Sequence, residues 1–157
     1  MVKGNYIFFW DGIYSQWYNA PMVIDGITYN CCEQYMMHQK ALTFGDTETA
    51  ELIMANKNPR DQKALGREVK NFDKAKWDAV CIGIVYKGNY AKFSQNVELA
   101  DELLATGNKI IVEASPYDTI WGIGMGEKEP GIKNPANWKG LNLLGWSIML
   151  VRKELFA

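Results

Sequence analysis

The sequence predicts a mainly α-helical α+β fold with one small sheet. Three observations lead there: a hairpin signal near the start, helical periodicity through the middle, and a β-branched run followed by a long glycine-rich segment. The hairpin signal is Met22-Val-Ile-Asp-Gly-Ile-Thr-Tyr29, where Asp25-Gly26 separates two short apolar stretches and suits a tight turn. Before it, Asn5 to Trp10 is aromatic and β-branched, so the beginning of the chain reads as β.

After Asn30 the period changes. Cys32, Glu33, Tyr35, Met36, Met37, Lys40, Ala41 and Phe44 recur at three- and four-residue intervals up to Gly45, which predicts a helix with a glycine stop. Asp46 is placed to cap Thr47 to Asn56, and Asn58-Pro59 opens a short helix ending at Gly66. Asp73 precedes a longer helix from Lys74 through Tyr86 towards Phe93, with Gly83 and Gly88 as weak points, and this is expected to be the central one. Asn96 can cap Val97 to Ala105, Ile110-Ile-Val112 reads as a buried strand, and Leu143 to Leu155 as an amphipathic helix. Pro116 to Asn142, rich in Gly, Pro, Asn and Trp, is too long for a passive connection and reads as a functional loop. With no repeat, low-complexity tract or linker, residues 1–157 are expected to form a single domain.

Bulk composition narrows the function. Seventeen Lys and Arg against 18 Asp and Glu leave a formal charge of -1, which removes the broad basic field of a non-specific nucleic-acid binder. Three cysteines, Cys31, Cys32 and Cys81, are a poor disulfide framework and point to a reducing compartment. With His38 the only histidine and no Cys-x-x-Cys, no metal site is expected. No apolar stretch has the length of a membrane span or signal peptide, so the protein is expected in the cytoplasm, away from membranes and without an obligate protein partner.

Several residues could carry chemistry. Glu33 and Lys40 are seven apart, about 20° short of two full helical turns, so they share a face with Met37 between them. They either form an ordinary solvated face or frame a pocket in which burial shifts both pKa values. Glu113, at the end of the apolar strand, is either satisfied by a cation such as Arg67 or Arg152 or used in a site. Asp118 is either an Asx turn ahead of Trp121 or a second acid. Trp121-Gly-Ile-Gly-Met-Gly126 lacks the strand-to-helix setting of a dinucleotide fingerprint. Its glycines would still let a ligand approach the backbone, with Trp121 as a stacking face or a packing corner. Lys63, Arg67, Lys92, Gln95 and Asn96 fall near predicted helix ends, where cations and backbone amides can bind phosphate or simply serve as caps. His38, about 140° from Glu33 around the helix, reads as a surface or satisfied histidine rather than a base.

Taken in order, these segments resemble the NADAR, or YbiA-like, family from Phe9 to Arg152. The matching residues are Ser15-Gln-Trp-Tyr18, Asp25-Gly26, Asn30-Cys-Cys-Glu-Gln-Tyr-Met-Met37 with Lys40, Lys63-Ala-Leu-Gly-Arg67, and Ala91-Lys-Phe-Ser-Gln-Asn96. They continue with Val112-Glu-Ala-Ser115, Asp118-Thr-Ile-Trp-Gly-Ile-Gly124 and Gly140-Leu-Asn-Leu-Leu-Gly145 with Arg152. The resemblance implies a YbiA-like fold and N-glycosidase activity. In one branch of the family the substrates are phosphoribosyl-aminopyrimidine intermediates of riboflavin synthesis, in another ADP-ribose on guanine bases. It implies functional positions at Glu33, Lys40, Arg67, Glu113, Asp118 and Trp121; with the residue reading above, catalysis is expected of Glu33, Lys40 and Asp118, and ligand binding of Trp121, Arg67, Lys63, Lys92, Glu113, Gly122, Gly124 and Asn142, with no cofactor. One departure stands out: many members have Glu-His where this chain has Glu33-Gln34.

Cleaving such a bond builds positive charge on the anomeric carbon and negative charge on the departing nitrogen, so an anion and a proton donor are both needed. Glu33 or Asp118 would supply the anion, and Lys40 would bind the ligand or attack the sugar carbon itself. The competing expectation is a module that binds ADP-ribose or NAD without hydrolysing it.

Overall fold

The computed structural model describes residues 1–157. In chain order the elements are β1 (Val2–Lys3), β2 (Tyr6–Phe9), β3 (Met22–Ile24), β4 (Ile27–Tyr29), α1 (Cys32–Thr43), α2 (Thr47–Ala55), α3 (Pro59–Gly66), α4 (Lys74–Gln95), α5 (Val97–Ala105), β5 (Ile110–Glu113) and α6 (Leu143–Leu155). A short 3-10 turn at Pro135–Asn137 precedes α6. The mainly helical reading with a small sheet is correct, and the predicted elements stand within a residue or two of their expected bounds. The chain divides into two compact units, one of residues 1–15 with 97–157 and one of residues 16–96.

The first unit is organised on a three-stranded sheet in the order β1-β2-β5. β1 runs antiparallel to β2, and β2 runs parallel to β5 with Tyr6 opposite Ile110 and Phe9 opposite Glu113. Phe8, Val112, Ala114, Ile123, Met125 and Ile132 form its core, with Tyr6, Ile110 and Trp138 packed against it. α6 packs on β5 and buries Leu144, Ile148 and Val151, three- and four-residue spacings that make one helical face. The segment from 116 to 142 is knitted to the strand by backbone bonds. Ile123 N–H donates to Glu113 C=O at 3.0 Å, Lys139 N–H to Ile123 C=O at 2.8 Å, and Asn142 N–H to Gly122 C=O at 3.1 Å.

In the second unit the β3–β4 hairpin turns at Asp25 and Gly26, both at positive φ (52° and 80°), as a two-residue turn of this hand requires. The expectation that the 74–93 helix is central is corrected, because α1 is the helix that touches α2, α3, α4 and β4. α1 is buried continuously from Cys32 to His38, Glu33, Gln34 and His38 included. Such burial is tolerable because the polar groups are served locally. Gln34 accepts from Asn30 N–H at 2.8 Å and donates to the carbonyls of Ile53 and Asn56. His38 Nδ1 lies 2.8 Å from Tyr29 Oη, and burial lowers its pKa below 6.5. His38 is thus a satisfied core histidine.

The weak points in α4 also need correcting, since the helix runs unbroken through Gly83 and Gly88. A Cβ at Gly88 would stand 3.0 Å from the Tyr35 ring, so glycine there lets α4 approach α1. Asp46, Asn58 and Asp73 cap their helices as expected. Asn96 donates Nδ2 to the Lys92 carbonyl at 2.8 Å, closing α4, and Gln95 bridges both backbone groups of Val23. Met22, Ile24, Tyr29, Cys32, Tyr35 and Ala91 make the core of this unit. No helix is long and apolar enough to cross a membrane.

Candidate functional site

In the unit of residues 16–96 the predicted side chains gather on α1. Glu33, in the first turn, is only 6% exposed, and its N–H donates to the Gln16 carbonyl at 3.0 Å. The solvated-face reading of Glu33 and Lys40 therefore fails for the acid. Lys40 lies two turns on, with Nζ 4.8 Å from the centre of the Phe72 ring and 5.9 Å from that of Trp77. Burial lowers the Lys40 pKa below its usual 10.5; the Glu33 carboxylate acts in the opposite direction and the Arg67 guanidinium reinforces the drop. Glu33 and Arg67 are thus both close enough to act on the Lys40 amine.

Lys92 is fully buried, with Nζ 5.5 Å from the Tyr18 ring centre and 5.2 Å from that of Phe93. Burial lowers its pKa, while the neighbouring Cys32 and Cys31 favour its charge. Burial likewise pushes the thiols up, Cys31 to about 11 and Cys32 to about 12, so neither is a ready nucleophile. Lys63 is exposed, its Nζ 6.0 Å from the Trp17 ring centre. Lys63 and Arg67 end α3, and Lys92 lies in the last turn of α4. These are C-terminal ends, where carbonyls rather than amides are unsatisfied, so the amide half of the phosphate-cradle expectation does not hold. Two cavities open in this unit, one of about 610 Å³ bounded by Trp17, Tyr29, Cys31 and Gln34, the other of about 340 Å³ bounded by His38, Ala50 and Met54. Neither is lined by Glu33 or Lys40.

The unit of residues 1–15 and 97–157 carries the remaining candidates at the C-terminal end of the β2–β5 pair. Asp118 makes an Asx turn, its Oδ1 accepting from Ile120 N–H at 2.9 Å and Trp121 N–H at 2.8 Å. That turn is pinned from behind by Ser115 Oγ, which accepts from Asp118 N–H at 3.2 Å. Trp121 is half-buried. At Gly122 a Cβ would come within 3.0 Å of the Glu113 and Asp118 carbonyls and 3.1 Å of Glu113 Oε2. Gly124 has φ +69°, with Lys139 and Thr119 at 3.1 Å from its ideal Cβ. Both glycines are required by close packing within the loop.

Asn142, itself at φ 53°, bridges the free edge of β5, accepting from Glu113 N–H at 2.9 Å and donating to the Ile111 carbonyl at 3.0 Å. The residue predicted as a ligand contact thereby fixes the backbone that carries Glu113. Arg152 donates to Thr106 Oγ1 at 2.7 Å and to the Lys109 carbonyl at 2.9 Å. No three His, Cys, Asp or Glu side chains are grouped to hold a metal ion. Two polar residues to which the sequence reading gave no role connect to Glu33 in series: the Gln16 carbonyl accepts from Glu33 N–H, and Asn89 Nδ2 donates to Gln16 Oε1. The signal for Asn89 was an amide on the apolar face of a long helix, between Val85 and Lys92.

Fold and side chains together describe a small α+β protein with a buried carboxylate and, on the same helix, a lysine whose pKa burial lowers. The chain belongs to the NADAR domain family, whose profile matches residues 8–156 and so runs through both compact units. It is 46% identical over 148 residues to N-glycosidase R617 of Acanthamoeba polyphaga mimivirus, covering 90% of this chain and 86% of that one. It is 31% identical over 144 residues to N-glycosidase YbiA of Escherichia coli, covering 92% and 81%. The NMR structure of E. coli YbiA is similar with a TM-score of 0.80 at 29% identity, over 98% of this chain and 87% of that one.

Proposed function

We propose that this protein is an N-glycosidase that hydrolyses the bond between a base-like nitrogen and a phosphorylated ribose. The observation that carries the reading is the buried Glu33 on the same helix as a lysine whose pKa is lowered by burial. The names of the relatives supply the bond type.

In the direct route, Glu33 stabilises the oxocarbenium-like carbon and takes a proton from the attacking water. The hydroxyl goes to the anomeric carbon and a proton to the departing nitrogen. In the covalent route, the neutral Lys40 amine attacks the anomeric carbon and displaces the base. Ring opening gives an imine, which water hydrolyses to free the sugar and the amine. The lowered Lys40 pKa favours this second route. Glu33 is favoured over Asp118 as the acting acid because one Asp118 oxygen already serves two amides of its own loop. Arg67 and Lys63, both exposed on the unit of residues 16–96, are assigned to the phosphate.

The substrate is proposed to be a phosphoribosyl-aminopyrimidine or an ADP-ribosylated guanine, which share this bond type. Incubation with each, followed by mass spectrometry of the released base, tests the reading and separates the two. Glu33→Ala is expected to lose at least about a hundredfold in rate while remaining folded. Release of neither base, with tight binding of ADP-ribose, would replace the enzyme with a recognition module.

A further inference from the structure

The buried face of α4 carries a group that the reaction just described does not use. Asn89 is 0% exposed, and its Nδ2 donates to Gln16 Oε1 at 2.9 Å and to the Val85 carbonyl at 2.9 Å. Its Oδ1 is buried without a hydrogen-bond partner. An acceptor stripped of water and given no donor is a net cost, one that a leucine of similar volume would not incur. What Asn89 contributes in exchange lies at the other end of its bond. The Gln16 Oε1 it engages belongs to a residue that grips the start of α1 twice. The Gln16 carbonyl accepts from Glu33 N–H at 3.0 Å, and its Nε2 lies 3.9 Å from Met36 Sδ, one turn further along the same face. Cys31, at the N-cap of α1, provides no side-chain cap, so the Gln16 carbonyl does that work for one of the unsatisfied first-turn amides.

We propose that Asn89 is a positioning residue for Glu33: it fixes Gln16, whose carbonyl holds the Glu33 backbone and so sets the direction in which the carboxylate is presented. The effect on turnover rests on Glu33 being the acting acid, as proposed above; the hold on the Glu33 backbone does not.

The test is Asn89→Leu in the full-length protein, read in two ways. Hydrogen exchange at the Glu33 amide should accelerate about tenfold or more, with the α1 amides beyond Met37 unchanged. In the base-release assay kcat should fall about ten- to a hundredfold with KM altered less than about twofold, while Tm stays equal to or above that of the wild type. A purely structural asparagine would lower Tm and leave kcat of the folded fraction intact. Gln16→Leu cuts the same link from its other end, and the double variant should be no slower than the slower single one. If Asn89→Leu does not fold, Gln16→Leu supplies both readouts alone. Unchanged exchange at Glu33, retained kcat, or additive losses in the double variant would overturn the proposal. A wild-type protein that releases no base would defeat the glycosidase reading instead, and exchange at Glu33 would still decide whether Asn89 holds it.

Discussion

Replacing Asn142 isolates the clamp that holds β5. In Asn142→Ala the Glu113 amide loses its acceptor and the Ile111 carbonyl loses its donor, both in a buried edge that α6 covers. Two lost amide bonds, with their backbone partners left dry, cost about 3–4 kcal/mol, and alanine in the left-handed conformation at φ 53° adds about 1 kcal/mol. For a chain of this size that corresponds to a fall in Tm of about 8–20 °C. Asn142→Gly relieves the backbone strain and leaves the hydrogen-bond loss, so it should recover only about 1 kcal/mol. Urea denaturation followed by circular dichroism measures both differences. Stability within about 1 kcal/mol of wild type in Asn142→Ala would mean that the strand edge is satisfied some other way, and the clamp would be wrong.

Gly145→Ala should destabilise by a comparable amount in the same titration, because its Cβ would collide with the Ile111 carbonyl and the Asn142 amide. Gly88→Ala should cost about 1–2 kcal/mol, since the Tyr35 ring must yield a few tenths of an ångström between packed helices. Acid titration of stability should show two losses. His38 has its folded pKa lowered below 6.5, so the unfolded chain takes up that proton first and stability declines as pH falls through about 6.5. Asp46 is held near 2 by the Lys70 and Thr49 amides against an ordinary 3.8, and its share is lost as pH falls from about 4 towards 2. His38→Gln and Asp46→Asn should each flatten its own window. Borohydride added during turnover should trap a sugar adduct on Lys40 and none in Lys40→Arg; no trapping in the wild type would remove the imine route.

The elements were legible in the sequence because their signals are local. Asp25-Gly26, the cap residues Asp46, Asn58 and Asp73, and the stop at Gly45 each act within a few residues of where they stand. Long-range consequences were not legible. Parallel pairing of β2 with β5 leaves no mark in either strand, and the hub role passed from α4 to α1 because α1 buries polar side chains. Polar residues such as Gln34 and His38 carry no local mark of burial, and only distant groups, Tyr29 and the carbonyls of Ile53 and Asn56, make that burial affordable. For the same reason the candidate residues could be named while their immediate duties could not. Asp118 and Asn142 are the kinds of side chain a ligand would use, and each is also bonded to backbone groups, Asp118 within its own loop and Asn142 on β5.

The order in which the chain leaves the ribosome sets a problem for β2. Its neighbour β5 is synthesised about a hundred residues later, roughly 5–20 s at ordinary elongation rates. During that interval Tyr6-Ile-Phe-Phe9 is an aromatic strand with one edge unmatched, while residues 16–96 already hold everything their own core requires. Nascent chains stalled with residues up to 96 outside the ribosome and Ile110 still inside it should therefore expose a sticky apolar strand beside the helical unit, a natural handle for a chaperone that recognises extended apolar segments.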